Sequence, residues 1–231
     1  MVWYEEYDFI SNPFTIKPQE GFDDFYGQKE IVSKVNKNVE KGTMSVVFGP
    51  YGTGKTTIMK GIIDRFKGKR KVAYYNSYTS ERNIDFEDIL IRGGNRISTF
   101  FGIKSKDMIL LLDEAHNLMK KDFENIEKYF NDGYFKSVVL VTSRVNHTFP
   151  EIVEDIVDKN KYELKMFTKD DAINMVEARL EGVDILKGAM VKKIYEASKS
   201  PRDFMMKCDE SCRHAIERGS DSVEEEDLKH L

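Results

Sequence analysis

Short apolar stretches alternate with amphipathic stretches along residues 1–167. The apolar stretches are MSVVFG, KVAYYN, MILLLD, SVVLVTS and KYELKMF. Five apolar residues in succession, as in MILLL, are typical of a strand with both faces covered. The intervening segments have helical spacing: KEIVSKVNKNVEKG, the segment from about Lys55 to Phe66, DFEDILIRGGNRISTFFG, and the segment from about Lys120 to Asn131. This alternation predicts an α/β fold, a parallel sheet flanked by helices.

The pattern changes at Thr168. Three later stretches, TKDDAINMVEARLEG, AMVKKIYEASKS and PRDFMMKCDESCRHAIERG, have helical spacing, and VEEEDLKHL predicts a short acidic helix. Thr168 and Ser200 precede two of these helices, and both are residue types that cap helix N-termini. The sequence therefore predicts an α/β domain over residues 1–167 and a small all-helical domain over residues 168–231.

Composition is that of an ordinary globular protein. Of the 231 residues, 40% are hydrophobic and 33% are charged, and 36 basic against 40 acidic residues leave a net charge of −4. This balance gives no overall electrostatic case for nucleic acid. The basic run RFKGKRK could contact a phosphate backbone, but a helix C-terminus complemented by cations is the simpler interpretation.

Targeting signals are not evident in the sequence. No apolar run approaches the roughly 20 residues that cross a bilayer, and the start MVWYEEYDFI is acidic and aromatic rather than basic and apolar. The two cysteines are too few for a disulfide framework. We therefore expect a cytoplasmic protein with no signal peptide and no membrane anchor.

The stretch GPYGTGKTT at residues 49–57 carries the clearest chemistry. It matches G-x-x-x-x-G-K-[ST] and lies between a predicted strand and a predicted helix, the context in which this pattern holds phosphates. Lys55 is predicted to reach the β- and γ-phosphates, and the Thr56 hydroxyl to hold Mg²⁺. Backbone N–H groups and the helix N-terminus complete the phosphate site. The predicted nucleotide-binding residues are Pro50, Tyr51, Gly52, Thr53, Gly54, Lys55, Thr56 and Thr57.

Two adjacent acids, Asp113 and Glu114, follow the apolar strand ILLL. We expect this strand to lie beside the P-loop strand, so that Asp113 orients the water shell of Mg²⁺. Glu114 is then the base that polarises the attacking water. A solvated strand end is the simpler alternative, but after a P-loop the pair favours ATP hydrolysis, with ATP and Mg²⁺ as cofactors.

These motifs, together with the helical C-terminal part, resemble the AAA+ ATPases. Within them the chain looks most like the archaeal origin-recognition and initiator group and the related transposition-associated ATPases. The resemblance is carried by NPF at residues 12–14, FYGQKEIV at residues 25–32 and DEAHNL at residues 113–118. It implies that the first two segments frame an adenine pocket and that the helical part is a lid.

The resemblance also implies roles for two further polar residues. Ser143, or its neighbour Thr142, stands at the tip of the fourth strand in the sensor 1 position, where it would hydrogen-bond the γ-phosphate or the water. In SPRDF at residues 200–204, Arg202 stands in the sensor 2 position, where a guanidinium binds phosphate and ties the lid to the nucleotide state. An ordinary strand end and a surface arginine on a proline-started helix are the simpler alternatives. With Lys55 and Glu114, Ser143 and Arg202 complete the predicted catalytic set.

Two departures from the AAA+ pattern bear on assembly. The stretch VNHTFPEIVEDIVDKNKYELKMF, where a neighbouring subunit's arginine finger is usual, contains no arginine, so Lys159, Lys161 or Arg144 would have to substitute. The chain also stops after the helical part, whereas initiators of this type continue into a DNA-binding domain. Direct DNA binding, contact through a protein partner and homo-oligomerisation all stay open.

Three functions follow as hypotheses. The first is an ATP-dependent switch or loader in a DNA transaction such as replication initiation or transposition. The second is a slow-turnover, NTP-binding regulatory or scaffolding module that signals its nucleotide state to a protein partner. The third, a remodelling motor, ranks last, because NSYTSERNIDFEDILIRGG offers no clear aromatic pore loop.

Two side-chain clusters allow more than one interpretation. Cys208, Cys212 and His214 invite a zinc site, but His214 faces away from the two cysteines on a helix and no fourth ligand is evident. The aromatic residues at the start of the chain either pack over the core or dock a partner, and we expect packing. They are Trp3, Tyr4, Tyr7 and Phe9.

Overall fold

A single parallel sheet organises the first part of the chain. The computed structural model describes residues 2–17, 26–78, 84–94, 99–157 and 159–229. Within these ranges the strand order is β2-β3-β4-β1-β5, and every pairing is parallel. The strands are β1 (Met44–Phe48), β2 (Val72–Asn76), β3 (Met108–Asp113), β4 (Phe135–Thr142) and β5 (Lys161–Glu163). The predicted α/β class is confirmed.

Helices cover both faces of this sheet and form the C-terminal part. The α-helices of the described residues are α1 (Lys29–Lys41), α2 (Lys55–Phe66), α3 (Phe86–Arg92), α4 (Lys120–Asn131), α5 (Glu151–Val157), α6 (Lys169–Leu180), α7 (Gly188–Ala197) and α8 (Pro201–Glu217). Short 3₁₀ helices lie at Trp3–Tyr7, Ala115–Asn117 and Glu225–Leu228. Helices α2 and α4 have the predicted bounds. None of the helices in the described ranges has the length and apolar character that a membrane span requires.

One predicted neighbour relation is wrong. Strand β4 pairs with β3 on one side and with β1 on the other, so β3 does not lie beside the P-loop strand. Asp113 therefore ends two strands away from the P-loop strand, and the end of β4 lies between them. The apolar pattern identifies strands but does not encode their order, which depends on the crossover connections.

The third predicted helix is shorter than expected. Helix α3 ends at Arg92, and the Ser105 N–H donates to the Leu90 carbonyl at 2.9 Å, so the chain has turned back by residue 105. The pair Gly93 and Gly94 follows the helix directly, and glycine disfavours helix continuation by about 1 kcal/mol per residue. Residues 95–98 of the predicted helix lie outside the described residues.

The two faces of the sheet carry separate hydrophobic clusters. Along β3, Leu110 and Leu112 pack in one cluster with α4, whereas Ile109 and Leu111 pack in the other with α1 and α2. Successive side chains of a strand point to opposite faces, so a strand that is buried on both sides places apolar side chains at consecutive positions. This explains why β3 reads as an unbroken apolar run.

A third hydrophobic cluster joins the N-terminal segment to helices α6, α7 and α8. Trp3 is 3% exposed, and its Nε1–H donates to Asp209 Oδ1 at 2.6 Å. Phe14 stacks on Trp3, with ring centroids 5.9 Å apart. Tyr4, Tyr7 and Phe9 pack against the same cluster. The packing interpretation of these aromatic residues is therefore confirmed, and the segment is attached to the helical part.

The two cysteines belong to this third cluster. Cys208 and Cys212 are fully buried free thiols on α8. Burial raises the pKa of the Cys208 thiol well above its ordinary value, and it raises the pKa of Cys212 as well. Among the described residues, no group of three metal-ligating side chains is close enough to hold a metal ion. Both cysteines pack among the hydrophobic side chains of the third cluster.

The predicted caps of the helical part are present. The Thr168 hydroxyl accepts from the Asp171 N–H at 3.1 Å at the start of α6, and the Ser200 hydroxyl accepts from the Asp203 N–H at 3.1 Å at the start of α8. Each bond satisfies a backbone donor that the helix itself leaves free. The start of α8 also contacts the P-loop, as described next.

Candidate nucleotide-binding site

A cavity of about 380 Å³ lies between the carboxyl edge of the sheet and the helical part. The P-loop and the two acids after β3 form one end of it. The N-terminal segment, Gln28 before α1, Phe167 and residues of α6 and α8 form the rest of the wall. The lining residues are Thr15, Ile16, Lys17, Tyr26, Gln28, Tyr51, Gly52, Thr53, Gly54, Lys55, Thr56, Thr57, Asp113, Glu114, Phe167, Met175, Arg179, Pro201, Arg202 and Met205.

The P-loop holds its lysine in a folded-back position. Lys55 is 7% exposed, and its Nζ donates to the carbonyls of Gly49 and Pro50, both at 2.8 Å. Burial lowers the pKa of Lys55, while the nearby Glu114 and Asp113 act in the opposite direction. A buried ammonium at the N-terminus of α2 attracts anions, and phosphate oxygens can replace the two carbonyls as acceptors.

The start of α8 rests directly on the P-loop. The Arg202 N–H donates to the Gly52 carbonyl at 3.1 Å, and Arg202 Nη1 donates to the Tyr51 hydroxyl at 2.9 Å. The Arg202 guanidinium also lies over the Tyr51 ring, 5.2 Å from its centroid. Gly52 has φ +83°, and a Cβ there would lie 2.8 Å from both Arg202 Cβ and Ser200 Oγ. Only glycine permits this approach of the helical part to the phosphate loop.

Asp113 and Thr56 place oxygens at the same end of the cavity. Asp113 is 6% exposed and accepts from the Tyr74 hydroxyl at 3.2 Å. Burial raises the pKa of Asp113, and the hydrogen bond from Tyr74 acts against that shift. A carboxylate and a hydroxyl are ligands that Mg²⁺ prefers, and a cation stabilises the charged form of a buried carboxylate. These two residues therefore fit the ion that accompanies ATP.

Glu114 sits in a strained conformation with its carboxylate held. Its φ is +51°, in the left-handed region that non-glycine residues rarely adopt. Ser143 Oγ donates to Glu114 Oε2 at 2.7 Å, and the Ser143 N–H donates to the same oxygen at 3.3 Å. The structure thus brings Ser143 to Glu114. Thr142 instead bonds to His116, Oγ1 to Nδ1 2.9 Å apart, and accepts from the Arg144 N–H.

The other end of the cavity is largely apolar and suits a base. Tyr26, Phe167, Met175 and Met205 contribute aromatic and thioether surface. Among them, Gln28 is 7% exposed, and its Oε1 is a buried acceptor with no hydrogen-bond donor in the described part of the chain. A lining residue with a buried, unsatisfied acceptor is a candidate partner for a ligand donor, so this end fits the base of ATP.

The sequence family is decided by residues 41–170, which match the AAA domain family over more than half of the chain. The chain belongs to the AAA domain family. Two curated ATP-binding proteins also match shorter stretches. The phosphate import ATP-binding protein PstB 2 of Bacillus subtilis is 34% identical over 71 residues, which is 31% of this chain and 24% of that protein. The lantibiotic transport ATP-binding protein SrtF of Streptococcus pyogenes is 41% identical over 46 residues, or 19% of this chain and 20% of that protein. The chain thus spans a quarter or less of these relatives.

Solved structures share the fold of this AAA domain over most of its length. The Thermotoga maritima RuvB Holliday junction branch migration motor has a TM-score of 0.71 at 18% identity, covering 93% of this chain and 71% of that one. Cdc6p from Pyrobaculum aerophilum has a TM-score of 0.69 at 15% identity, covering 94% and 69%. The Aeropyrum pernix ORC1 protein, solved in complex with DNA, has a TM-score of 0.66 at 14% identity, covering 89% and 64%. At these identities the likeness shows the fold alone.

Two residues of the AAA domain site escaped the sequence analysis. No role for His116 is predicted from the sequence, yet its side chain is 8% exposed and its Nδ1 lies 3.3 Å from Glu114 Oε2. Burial lowers the pKa of His116, and Arg144 adds to the shift, which favours the neutral imidazole. Gln28 lies within FYGQKEIV, but nothing in that segment singles it out. The signal in both cases is a contact with a residue distant in sequence.

Proposed function

We propose that this AAA domain is an ATP-hydrolysing switch that acts in a DNA transaction by loading, positioning or assembling a protein partner. The observation that carries the proposal is the contact of Arg202, at the start of α8, with Tyr51 and Gly52 of the P-loop. The Arg202 guanidinium therefore lies where the helical part contacts the phosphate loop. A change in phosphate charge acts on that cation directly, and so on the position of the helical part.

The phosphate end supplies the groups that hydrolysis needs. Lys55 would bind the β- and γ-phosphates in place of the two loop carbonyls, and Thr56 and Asp113 would hold Mg²⁺. Glu114 polarises the attacking water, and Ser143, which already donates to its carboxylate at 2.7 Å, orients it. Arg202 exchanges its Tyr51 partner for phosphate oxygens, which bind a guanidinium more strongly than a neutral phenol does.

The DNA part of the proposal has two supports. The first is the resemblance of NPF, FYGQKEIV and DEAHNL to the initiator and transposition-associated ATPases. The second is the set of proteins with this fold, which includes the RuvB Holliday junction branch migration motor and the ORC1 protein in complex with DNA. With a net charge of −4, the chain itself favours contact through a partner over a broad basic interface.

Finger-dependent hydrolysis within a homo-oligomer would require a cation donated across subunits. No arginine occurs between residues 145 and 167, and the exposed Arg144 follows Ser143 at the tip of β4. Arg144 is therefore our candidate for a residue that completes a neighbouring site. A guanidinium reaches phosphate bidentately, which gives it an advantage over Lys159 or Lys161.

A second candidate function is a slow-turnover regulatory module. The observation that favours it is the held carboxylate of Glu114, which accepts from Ser143 and lies 3.3 Å from His116. If the Glu114 carboxylate is hydrogen-bonded to the protein instead of to the attacking water, ATP hydrolysis is slow until a partner rearranges the site. In this alternative the nucleotide state signals to one protein, and hydrolysis serves only to reset the signal.

ATP turnover measured against protein concentration, with and without single- and double-stranded DNA, tests the proposal. The switch in a DNA transaction predicts a rate per subunit that rises with concentration or with DNA, because subunits or the DNA complete the site. Arg144→Ala should remove the rise with concentration, while Arg65→Ala, at the far end of α2, should leave it intact. A rate near zero under all conditions would contradict the proposal and favour the regulatory module.

A further inference from the structure

Gln28 occupies a helix-cap position, but its side chain does not cap the helix. It occupies the N-cap position of α1 and makes no side-chain bond to the first turn of that helix. Instead its Nε2–H₂ donates to the Lys165 carbonyl at 2.5 Å. Its Oε1 is a buried oxygen that lacks a donor among the described residues, and Gln28 is one of the residues that line the cavity. The Nε2–H₂ group of Gln28 is therefore bonded within the protein, whereas the Oε1 acceptor has no partner among the described residues.

The orientation of this amide is fixed by its partner. A backbone carbonyl can only accept, so the Lys165 carbonyl requires the nitrogen of Gln28 on its side. The neighbouring Gly27 has φ +76°, and a Cβ there would lie 2.5 Å from Phe167 Cβ. This close approach holds the start of α1 against the segment that follows β5. Gln28 is thus a preset acceptor, and it cannot exchange its oxygen and nitrogen to suit a different ligand.

The bases differ in what they would offer to such an acceptor. Adenine carries an exocyclic amino group at position 6, which donates, whereas guanine carries a carbonyl there, which accepts. Hypoxanthine has the same carbonyl at that position. Two acceptors facing each other in a buried site repel and leave both unsatisfied, whereas an amino group satisfies the Gln28 oxygen.

We infer that Gln28 selects the base: its Oε1 accepts from the 6-amino group of a purine nucleotide and rejects 6-oxo purines. The inference rests on the proposed function, because it concerns the base end of the same ATP site. The apolar residues Tyr26, Phe167 and Met175 hold any flat base, and Gln28 decides which one is bound. A site that hydrogen-bonds a ligand group discriminates strongly against the analogue that lacks it.

Calorimetric titrations of the whole chain in the presence of Mg²⁺ test this with four probes: ATP, ITP, purine riboside triphosphate and inorganic tripolyphosphate. We expect ATP to bind about ten- to a hundredfold more tightly than ITP. Purine riboside triphosphate, which has neither the amino group nor the carbonyl, should fall between them. This ranking requires no variant, so it stands as a test even where a substitution at position 28 impairs folding. Equal affinity for ATP and ITP would overturn the inference.

Gln28→Met, which keeps the length of the side chain and removes both polar groups, sharpens the test. The ATP-to-ITP ratio should fall to within about threefold of one, since ATP loses its acceptor and ITP loses the repulsion. Asn36→Leu is the matched control, because Asn36 is also a buried amide on α1, 4% exposed, and does not line this cavity. A ratio that Gln28→Met leaves unchanged would assign base selection elsewhere.

Tripolyphosphate separates the two possible failures. Tripolyphosphate binding that Lys55→Ala abolishes supports the phosphate site, whatever the base preference is. If tripolyphosphate and all three nucleotides fail to bind, the proposed ATP function is wrong. If tripolyphosphate binds and the three nucleotides bind alike, the ATP site stands and the role of Gln28 is wrong.

Discussion

At the phosphate end of the cavity, most of the polar groups come from two short segments: residues 50–57 and the pair Asp113 and Glu114. At the base end, the wall is assembled from parts that are far apart in sequence, including Gln28 before β1, Phe167 after β5 and Met205 on α8. The phosphate end is thus local structure set on the edge of the sheet. The base end exists only when the N-terminal segment and the helical part are packed together.

The two ends of the cavity therefore depend on different parts of the fold, which separates triphosphate binding from base binding. We expect the phosphate end to hold a triphosphate while the sheet and α2 are folded. The base end also requires the third hydrophobic cluster, in which Trp3 packs with the helices and bonds to Asp209. Arg202 links the two ends of the cavity, because it lies in the first turn of α8 and contacts the P-loop. Variants at the two ends should therefore separate triphosphate binding from base binding and from coupling.

The largest expected effect is at the phosphate end. Lys55→Ala should weaken the binding of both ATP and tripolyphosphate by more than about a hundredfold, because a buried cation that contacts phosphate is lost. Titration calorimetry measures both ligands. Lys67→Ala, which removes an exposed lysine just after α2, is the matched control and should bind normally. If ATP binding survives Lys55→Ala, the base end contributes more to the affinity for ATP than the phosphate end does.

Glu114→Gln should separate binding from chemistry within the phosphate end. The amide keeps the shape of the side chain but is a much poorer base, so turnover should fall by about a hundredfold or more while ATP affinity stays within a few-fold. A coupled phosphate-release assay measures turnover. Glu124→Gln on the exposed side of α4 controls for the loss of one negative charge. Normal turnover in Glu114→Gln would show that another group polarises the water.

The same contrast explains how much could be predicted from the sequence. The P-loop, the bounds of α2 and the caps at Thr168 and Ser200 were predicted because each depends on residues within a few positions of one another. The predicted helix ran past the actual end of α3 at Arg92, because helical spacing continues beyond Gly93 and Gly94 even though two glycines weaken a helix. Local chemistry was therefore read more reliably than the length of an amphipathic segment.

What the sequence withheld depends on strand order and on long-range contacts. His116 reaches Thr142 only because β4 lies beside β3, a neighbour relation that the apolar pattern does not contain. The free oxygen of Gln28 depends on Lys165, 137 positions away. The resemblance to AAA+ proteins indicated an adenine pocket at FYGQKEIV, but the residue that stands out within it became visible only in the folded chain.

Arg202 tests the coupling between the two ends. Arg202→Ala should weaken ATP binding by about tenfold, the value of one charge-assisted contact, and should have little effect on AMP, which has no γ-phosphate. Arg202→Lys should recover only part of the affinity, because an ammonium cannot bind phosphate as a fork. Arg213→Ala, a surface arginine on the same helix, is the control. Equal losses for ATP and AMP would mean that Arg202 supports the fold rather than senses the phosphates.

The smallest expected effect is a pH dependence that arises at the phosphate end. Burial, followed by the charge of Arg144, lowers the pKa of both His116 and His147 below the ordinary value of 6.5. The unfolded chain then takes up protons near pH 6.5 that the folded chain refuses. The two histidines therefore favour the folded state above that pH, and this stability is lost as the pH falls below it.

Urea unfolding at pH 7.5 and at pH 5.5 measures this loss. The double variant His116→Gln, His147→Gln should show a smaller decrease in the free energy of unfolding between the two pH values than the unmodified chain. Because His116 lies 3.3 Å from Glu114, ATP turnover in the unmodified chain should also fall toward pH 5.5, as a protonated imidazole would pair with the base. The affinity for tripolyphosphate should change less than turnover does between pH 7.5 and pH 5.5. An equal decrease in the free energy of unfolding for both proteins would locate the pH dependence outside the phosphate end.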